Sequence, residues 1–107
     1  MSAAVYYGVQ TPASRNDLPN PSALTRTTYT GAAVSFTTNA GSGQYSYFVC
    51  PVSLGTAGFR YLFPDEGSWW SGGYTFLDTL TINGVVHNAY RSTNANLGQM
   101  TTSVTFS

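Results

Sequence analysis

The chain has 107 residues, of which 42% are hydrophobic, 15% aromatic and only 7% charged, and four arginines balance four carboxylates to a formal net charge of zero. This length and apolar content predict one domain over residues 1–107 with its own core. The many β-branched threonines favour strands, so a single β-domain is expected. No nucleic-acid partner is expected, because such binding needs clustered cations. The lack of a long apolar run also argues against membrane insertion.

The polar part of the sequence is unusual. Ordinary soluble domains are roughly one-quarter charged, whereas Ser, Thr, Asn, Gln and Gly must form most of this surface. Because a free monomer usually carries a net charge, the composition favours a protein that packs against neighbours in an assembly. The single Cys50 cannot form an internal disulfide, and Met1–Ala4 lacks the features of a secretory signal. Synthesis in a reducing cytoplasm is therefore expected.

The first third of the chain predicts two strand regions joined by a loop. Val5–Val9 alternates as a strand does. Residues 10–23 contain three prolines and predict a proline-containing loop or arm, with a short helical turn over Ser14–Leu18 as an option. Residues 28–37 form the next strand region, around Gly31.

The rest of the chain predicts further strands separated by Gly, Asn or Pro. Both faces of Tyr45–Cys50 are apolar or aromatic, so this strand is expected at the centre of a sheet, covered on both sides. Asn83–Gly84 suits a type I′ turn between two strands, since both positions tolerate positive φ. The other predicted strands are Phe59–Phe63, Tyr74–Ile82, Val85–Arg91 and Met100–Phe106.

The strand over residues 74–82 shows the clearest alternation. Its pattern places Tyr74, Phe76, Leu80 and Ile82 on one face. Together, about seven short strands predict an all-β fold, either a compact antiparallel β-sandwich or a jelly-roll-like barrel.

Candidate catalytic residues are few. Cys50 and His87 could form a thiol–imidazole pair with Asp78 orienting the ring, but Cys50 lies in an aromatic strand and is better interpreted as a small core residue. Asp65 and Glu66 are adjacent, and neighbours on an extended chain point to opposite faces. Metal-ligand spacing is missing. The sequence therefore predicts a protein that is not an enzyme and needs no metal or cofactor.

The aromatic segment Gly67–Tyr74 is the one stretch that predicts a binding role. Trp69, Trp70 and Tyr74 are candidates for a ligand platform or a protein interface. Sugars dock on exposed aromatic faces, and tryptophan is enriched at the energetic centres of interfaces. The alternative is that the tryptophans begin a strand and that one of them caps the core.

Two arginines, Arg60 and Arg91, lie in strand-like runs. They could pair with Asp65 or Asp78, or they could cover apolar neighbours with their side-chain stems.

Short motifs follow one another in a distinctive order along nearly the whole chain. They are Val5–Val9, Tyr45–Tyr47, Pro51–Gly55, Gly72–Gly73, Asn83–Gly84, Tyr90–Asn94 and Leu97–Gly98, before a terminal Thr/Val strand. In this order they resemble a small β-module of tailed-bacteriophage virion proteins, often found at the C-terminal end of tail-fibre or baseplate-associated polypeptides. Here the module stands without a shaft or coiled coil, so a fragment of a longer fibre and a tail accessory protein are further options.

The resemblance implies a non-enzymatic structural component of a phage virion, tail-fibre or baseplate-associated, with host-surface binding as a further role. A capsid decoration (cement) protein and a carbohydrate-binding, lectin-like module remain alternatives. The implied partners are other virion proteins, sister copies in a homo-oligomer with a trimer favoured, and host-surface polysaccharide. The implied location is the virion, after synthesis in the host cytoplasm.

Overall fold

The computed structural model describes residues 3–107, so Met1 and Ser2 of the predicted 1–107 domain lie outside the described residues. Within residues 3–107 the chain forms nine β-strands and two short 3₁₀ helices, Pro21–Ala23 and Val52–Leu54. The strands are β1 (Ala3–Gln10), β2 (Thr25–Tyr29), β3 (Val34–Ala40), β4 (Tyr45–Pro51), β5 (Ala57–Leu62), β6 (Trp70–Ser71), β7 (Tyr74–Ile82), β8 (Val85–Ser92) and β9 (Gly98–Phe106).

The strands form two antiparallel sheets that pack face to face. The five-stranded sheet has the order β2-β1-β4-β8-β7, and the four-stranded sheet has the order β3-β9-β5-β6. The predicted all-β sandwich is therefore confirmed. β4 occupies the centre of the five-stranded sheet, and each of its residues after Tyr45 is buried. The prediction of a central strand covered on both sides is also confirmed.

Residues 3–107 form nine strands instead of the predicted seven or so, because the region 28–37 belongs to two strands and a further strand has only two residues. β2 ends at Tyr29 and β3 begins at Val34, and the two strands belong to different sheets. Gly31 lies between them with φ of 105°, a conformation that residues with a side chain rarely adopt. The second additional strand, β6, has two residues and pairs with β5.

The main core lies between the two sheets. Alternate residues of β3 from Val34 to Ala40 are buried while their neighbours are exposed, as the two-residue period of a strand requires. The rings of Phe36 and Phe48 stack with 5.6 Å between their centroids. Val5, Cys50 and Val104 complete the buried cluster.

The outer face of the five-stranded sheet carries a second apolar cluster. Tyr47, Val49 and Ala89 are fully buried there. Leu77, Leu80 and Ile82 pack against them. This sheet is therefore apolar on both faces, whereas an antiparallel sheet commonly exposes one face to water.

A β-bulge in β7 changes which side chains share a face. The register shifts between Phe76 and Asp78, because one extra residue is inserted at a bulge. The Phe76 ring contacts Tyr90 on the side of the main core, whereas Leu80 and Ile82 pack on the outer cluster. The predicted placement of Phe76, Leu80 and Ile82 on one face is wrong for this reason.

Residues 11–24, here called the covering loop, fold back over the outer face of the five-stranded sheet. The side-chain amide of Gln10 closes the base of the loop: it donates to the Asn20 carbonyl at 2.7 Å and accepts from the Asn20 N–H at 2.8 Å. Leu24 is buried in the outer cluster, and the Arg91 guanidinium donates to the Arg15 carbonyl. The proline-containing segment is thus tied to its own sheet.

The optional helix over Ser14–Leu18 does not form. This segment makes a turn in which the Asp17 N–H donates to the Ser14 carbonyl at 2.9 Å. The Asp17 carboxylate accepts from the Ser14 N–H at 2.9 Å. The 3₁₀ helix begins instead at Pro21, where a fixed φ suits the first helical position.

The hairpin predicted at Asn83–Gly84 is confirmed. Ile82 pairs with Val85 across the turn, and Asn83 and Gly84 have φ of 51° and 79°. Both values are positive, as a type I′ turn requires.

Candidate functional site

Trp69 and Trp70 lie at the edge of the four-stranded sheet, and both indoles reach solvent with 40% and 52% of their surface exposed. The Trp70 Nε1–H donates to a carboxylate oxygen of Glu66 at 2.8 Å. The guanidinium carbon of Arg60 lies 5.2 Å from the Trp69 ring centroid, within the range of a cation–π contact. Neither tryptophan caps the core, and both remain available to a partner.

Tyr74 points into the sandwich and has a different role from the two tryptophans. Its hydroxyl lies 2.9 Å from the Ser46 hydroxyl and 2.8 Å from the Thr102 hydroxyl. Its ring stacks on Phe59 with 4.5 Å between centroids. Burial raises the pKa of the Tyr74 phenol, so the hydroxyl stays neutral. Tyr74 joins β4 to β9 across the core, and the predicted trio does not form one aromatic platform.

Cys50 and His87 lie on opposite faces of the five-stranded sheet. Cys50 is part of the main core, whereas His87 pairs opposite Pro51 and its ring contacts Tyr6 on the outer face. Burial raises the pKa of the Cys50 thiol to about 12, so the nucleophilic thiolate is suppressed. The Asp78 carboxylate accepts from the Thr79 N–H at 2.7 Å. These three residues are not assembled as a catalytic set.

Arg60 and Arg91 lie in different environments, one exposed and the other buried. Arg91 is buried, and its guanidinium donates to the carbonyls of Ser92 and Arg15 and lies 4.7 Å from the Tyr45 ring centroid. Its donors therefore bind backbone oxygens instead of Asp65 or Asp78. Arg60 is exposed and covers Trp69, which matches the predicted alternative of an arginine lying over an apolar neighbour.

A group of exposed apolar side chains follows one edge of the sandwich. β6 and β7 are the edge strands of the two sheets on this side, joined by Gly72 and Gly73. Large side chains that are at least 40% exposed lie on these strands or beside them. They are Trp69, Trp70 and Phe76, here called the apolar edge surface. Val85 and Val86 are also exposed but lie at the other end of the β7–β8 hairpin, beside the Asn83–Gly84 turn.

A pocket of about 330 Å³ opens on the outer face of the five-stranded sheet, towards the Asn83–Gly84 turn. β1, β2, β4 and β8 all contribute to its walls. Its side chains with polar or aromatic groups are Tyr6, Arg26, Ser53, Asn83 and His87.

Sequence reasoning missed this pocket. Alternation places Ala4 with Tyr6 and Val85 with His87, so each strand alone indicates a shared face. The pairing that brings β1, β4 and β8 side by side spans distant parts of the chain. That strand order is what unites these residues, and local patterns do not specify it.

Among residues 3–107, no group of three or more His, Cys, Asp or Glu side chains could hold a metal ion. Within the same described range, none of the helices has the length and apolar character needed to cross a membrane. Comparison of the chain with protein-family models, with curated proteins and with solved structures finds no match.

Proposed function

We propose that this chain is a non-enzymatic structural component of a phage virion, associated with the tail fibre or baseplate, that assembles with sister copies. The ordered motifs from Val5–Val9 to Leu97–Gly98 support the virion part of the proposal. The apolar edge surface is the single observation that carries the assembly part. Separation of Cys50 from His87 supports the non-enzymatic part.

The apolar edge surface has the composition of a protein interface. Two tryptophans and Phe76 lie on or beside neighbouring edge strands, and aromatic side chains dominate binding energy at interfaces. Grouped apolar side chains on a soluble protein mark an interaction site more often than scattered ones do. Burial of this surface against a second copy would remove the largest exposed rings of the molecule from water.

The shape of β7 indicates how such a contact forms. β7 has nine residues and pairs with β8 on one side only, so its other edge carries open backbone groups. The bulge between Phe76 and Asp78, with the charge of Asp78, opposes continuous strand addition. We therefore expect the copies to associate through side-chain contacts in a closed symmetric oligomer, with a trimer favoured, instead of forming a continuous intermolecular sheet.

The outer face of the four-stranded sheet gives a second, polar surface that a neighbour could cover. Thr37 and Thr101 lie side by side across β3 and β9, with 3.0 Å between their hydroxyl oxygens. Ser35 and Ser103 pair one step along the same face. These hydroxyls carry no charge, so packing another virion protein against them avoids the cost of burying ions.

Size-exclusion chromatography with light scattering, over a series of protein concentrations, tests the assembly. The wild-type chain is expected to elute as an oligomer. The double variant Trp70→Ser/Phe76→Ser is expected to elute as a folded monomer, because it removes two large rings from the interface. Val52→Ser is the matched control, since Val52 is exposed but lies outside the apolar edge surface.

A monomeric wild-type chain at every concentration would contradict the assembly. The virion part has a separate test, which is immunogold electron microscopy of particles purified from a lysed host. Label at the tail tip or baseplate is expected. Label on the capsid would indicate the alternative role of a decoration protein, and unlabelled particles would contradict the virion proposal.

A carbohydrate-binding, lectin-like role is the second candidate function. The exposed indole of Trp69, with Arg60 over it, and the pocket on the five-stranded sheet are the observations that favour it.

A further inference from the structure

The outer-face pocket is built around a buried histidine. His87 is only 3% exposed and still lines the pocket. Its Nδ1 lies 2.8 Å from the Val85 carbonyl, which can only accept a hydrogen bond, so Nδ1 carries the proton. When the ring is neutral, this tautomer leaves Nε2 as a hydrogen-bond acceptor. A ligand hydroxyl is the natural donor to such a nitrogen.

An arginine supplies the charge of the pocket. Arg26 pairs opposite Tyr6 across β2 and β1, which places its side chain on the pocket side of the sheet. Carboxylates are absent from the pocket lining among the described residues. The guanidinium is a planar fork that matches a carboxylate with two parallel hydrogen bonds. The pocket therefore favours an anionic ligand.

The remaining lining suits a compact polar ring. Ser53 and Asn83 add a hydroxyl and an amide, which both donate and accept hydrogen bonds. Tyr6 contributes an aromatic wall whose ring meets the His87 ring at an angle of 63°. Ile82 and Val85 add apolar surface. A mostly apolar pocket with a few convergent polar groups is the usual form of a small-molecule site.

We propose that this pocket binds a hexuronic acid unit, a pyranose that carries one carboxylate. Arg26 holds the carboxylate, the His87 Nε2 accepts from a ring hydroxyl, and the Tyr6 wall contacts the pyranose. Acidic sugars of this class occur as free monosaccharides and as units of surface polysaccharides. A role in host-surface attachment rests on the proposed virion function, whereas the binding itself does not.

The test is a titration of the ¹⁵N-labelled full chain, followed by two-dimensional NMR. The probes are sodium glucuronate, glucose and sodium acetate. Glucuronate is expected to shift the amide signals of residues that line the pocket, and to bind at least ten times more tightly than glucose or acetate. Arg26→Gln is expected to weaken glucuronate binding about tenfold, the effect of losing roughly 1.4 kcal/mol.

Arg15→Gln is the matched control, because Arg15 is also exposed but lies in the covering loop, outside the pocket lining. It is expected to bind glucuronate as the wild type does. Equal affinity for glucose would overturn recognition of the carboxylate, and equal affinity for acetate would overturn recognition of the sugar. Undiminished binding by a folded Arg26→Gln variant would overturn the role of this pocket. These outcomes do not depend on the oligomeric state or on the presence of the chain in a virion.

Discussion

At the scale of single residues, Tyr47 places a polar group among apolar neighbours. Its side chain is fully buried in the outer cluster, and its hydroxyl lacks a hydrogen-bond partner among the described residues. Burial raises the pKa of this phenol, although the nearby Arg91 charge acts in the opposite direction. A buried hydroxyl that makes no hydrogen bond costs free energy compared with a hydrogen atom in its place.

Tyr47→Phe is therefore expected to keep the free energy of unfolding unchanged or to raise it by up to about 1 kcal/mol. Urea unfolding followed by circular dichroism measures the change. Tyr74→Phe is the matched control, because it removes a hydroxyl that bonds to Ser46 and Thr102; a loss of about 1–3 kcal/mol is expected there. A loss at Tyr47 as large as at Tyr74 would show that the Tyr47 hydroxyl has a partner.

At the scale of elements, the covering loop depends on a small number of polar contacts. Gln10 contributes the two hydrogen bonds that close its base on Asn20. Most other residues of the loop are exposed, with Pro19 and Leu24 as buried exceptions. A segment with few buried side chains opens more easily than the sheet beneath it.

Gln10→Ala is expected to accelerate amide hydrogen exchange across residues 11–24 and to leave exchange in β3 and β9 nearly unchanged. The loss of two hydrogen bonds should lower the free energy of unfolding by about 1–2 kcal/mol. Gln99→Ala is the control, since Gln99 is exposed on the outer face of the four-stranded sheet. Slow exchange in the loop of the Gln10→Ala variant would mean that Leu24 and Arg91 hold the loop without Gln10.

Strands with strong local patterns could be predicted from the sequence, and their pairing could not. The doubly apolar run of β4 indicated its central place, and Asn83–Gly84 indicated the hairpin, because both signals are local. The bulge at Phe76–Asp78 leaves the sequence pattern intact while it reverses the faces of later residues. The pocket required the pairing of β1 with β4 and β8, which depends on contacts between distant segments.

The same distinction applies to the candidate site. Trp69 and Trp70 lie between glycines, and this local composition leaves open whether the indoles face a partner or cap the core, whereas the structure exposes both. Tyr74 follows within the same segment, yet its hydroxyl bridges β4 and β9. Only the packing of one sheet on the other determines that inward position.

At the scale of the whole molecule, Cys50 links stability to pH. Burial in the main core raises the pKa of its thiol from 9.0 to about 12. The unfolded chain releases this proton near pH 9, whereas the folded chain keeps it until about pH 12. Between pH 9 and pH 12 the unfolded chain binds fewer protons than the folded chain. The free energy of unfolding therefore decreases as the pH rises through this range. The contribution of Cys50 is fully present below pH 9 and is lost as the pH rises towards 12.

Between pH 9 and 12 the free energy of unfolding of the wild-type chain is thus expected to fall by up to about 4 kcal/mol more than that of Cys50→Ala. Each pH unit between the two pKa values of the thiol contributes roughly 1.4 kcal/mol. Urea unfolding of both proteins at several pH values measures this difference. Comparison with Cys50→Ala cancels the contributions of tyrosines remote from Cys50, whereas Tyr90, whose pKa is raised mainly by burial and in part by the charge of Cys50, contributes to the difference. Parallel curves for the two proteins would contradict a protected thiol.

The position of β9 between β3 and β5 has a consequence for biosynthesis. On the ribosome β3 is made long before β9, so Val34 and Phe36 leave the exit tunnel well ahead of the strand that pairs with them. Until β9 follows, β5 has only the two residues of β6 as a neighbour. The five-stranded sheet can be complete by the end of β8, but the main core must wait for β9. A nascent chain that stalls before Gly98 would therefore present an uncovered apolar sheet face, a target for chaperones and for aggregation.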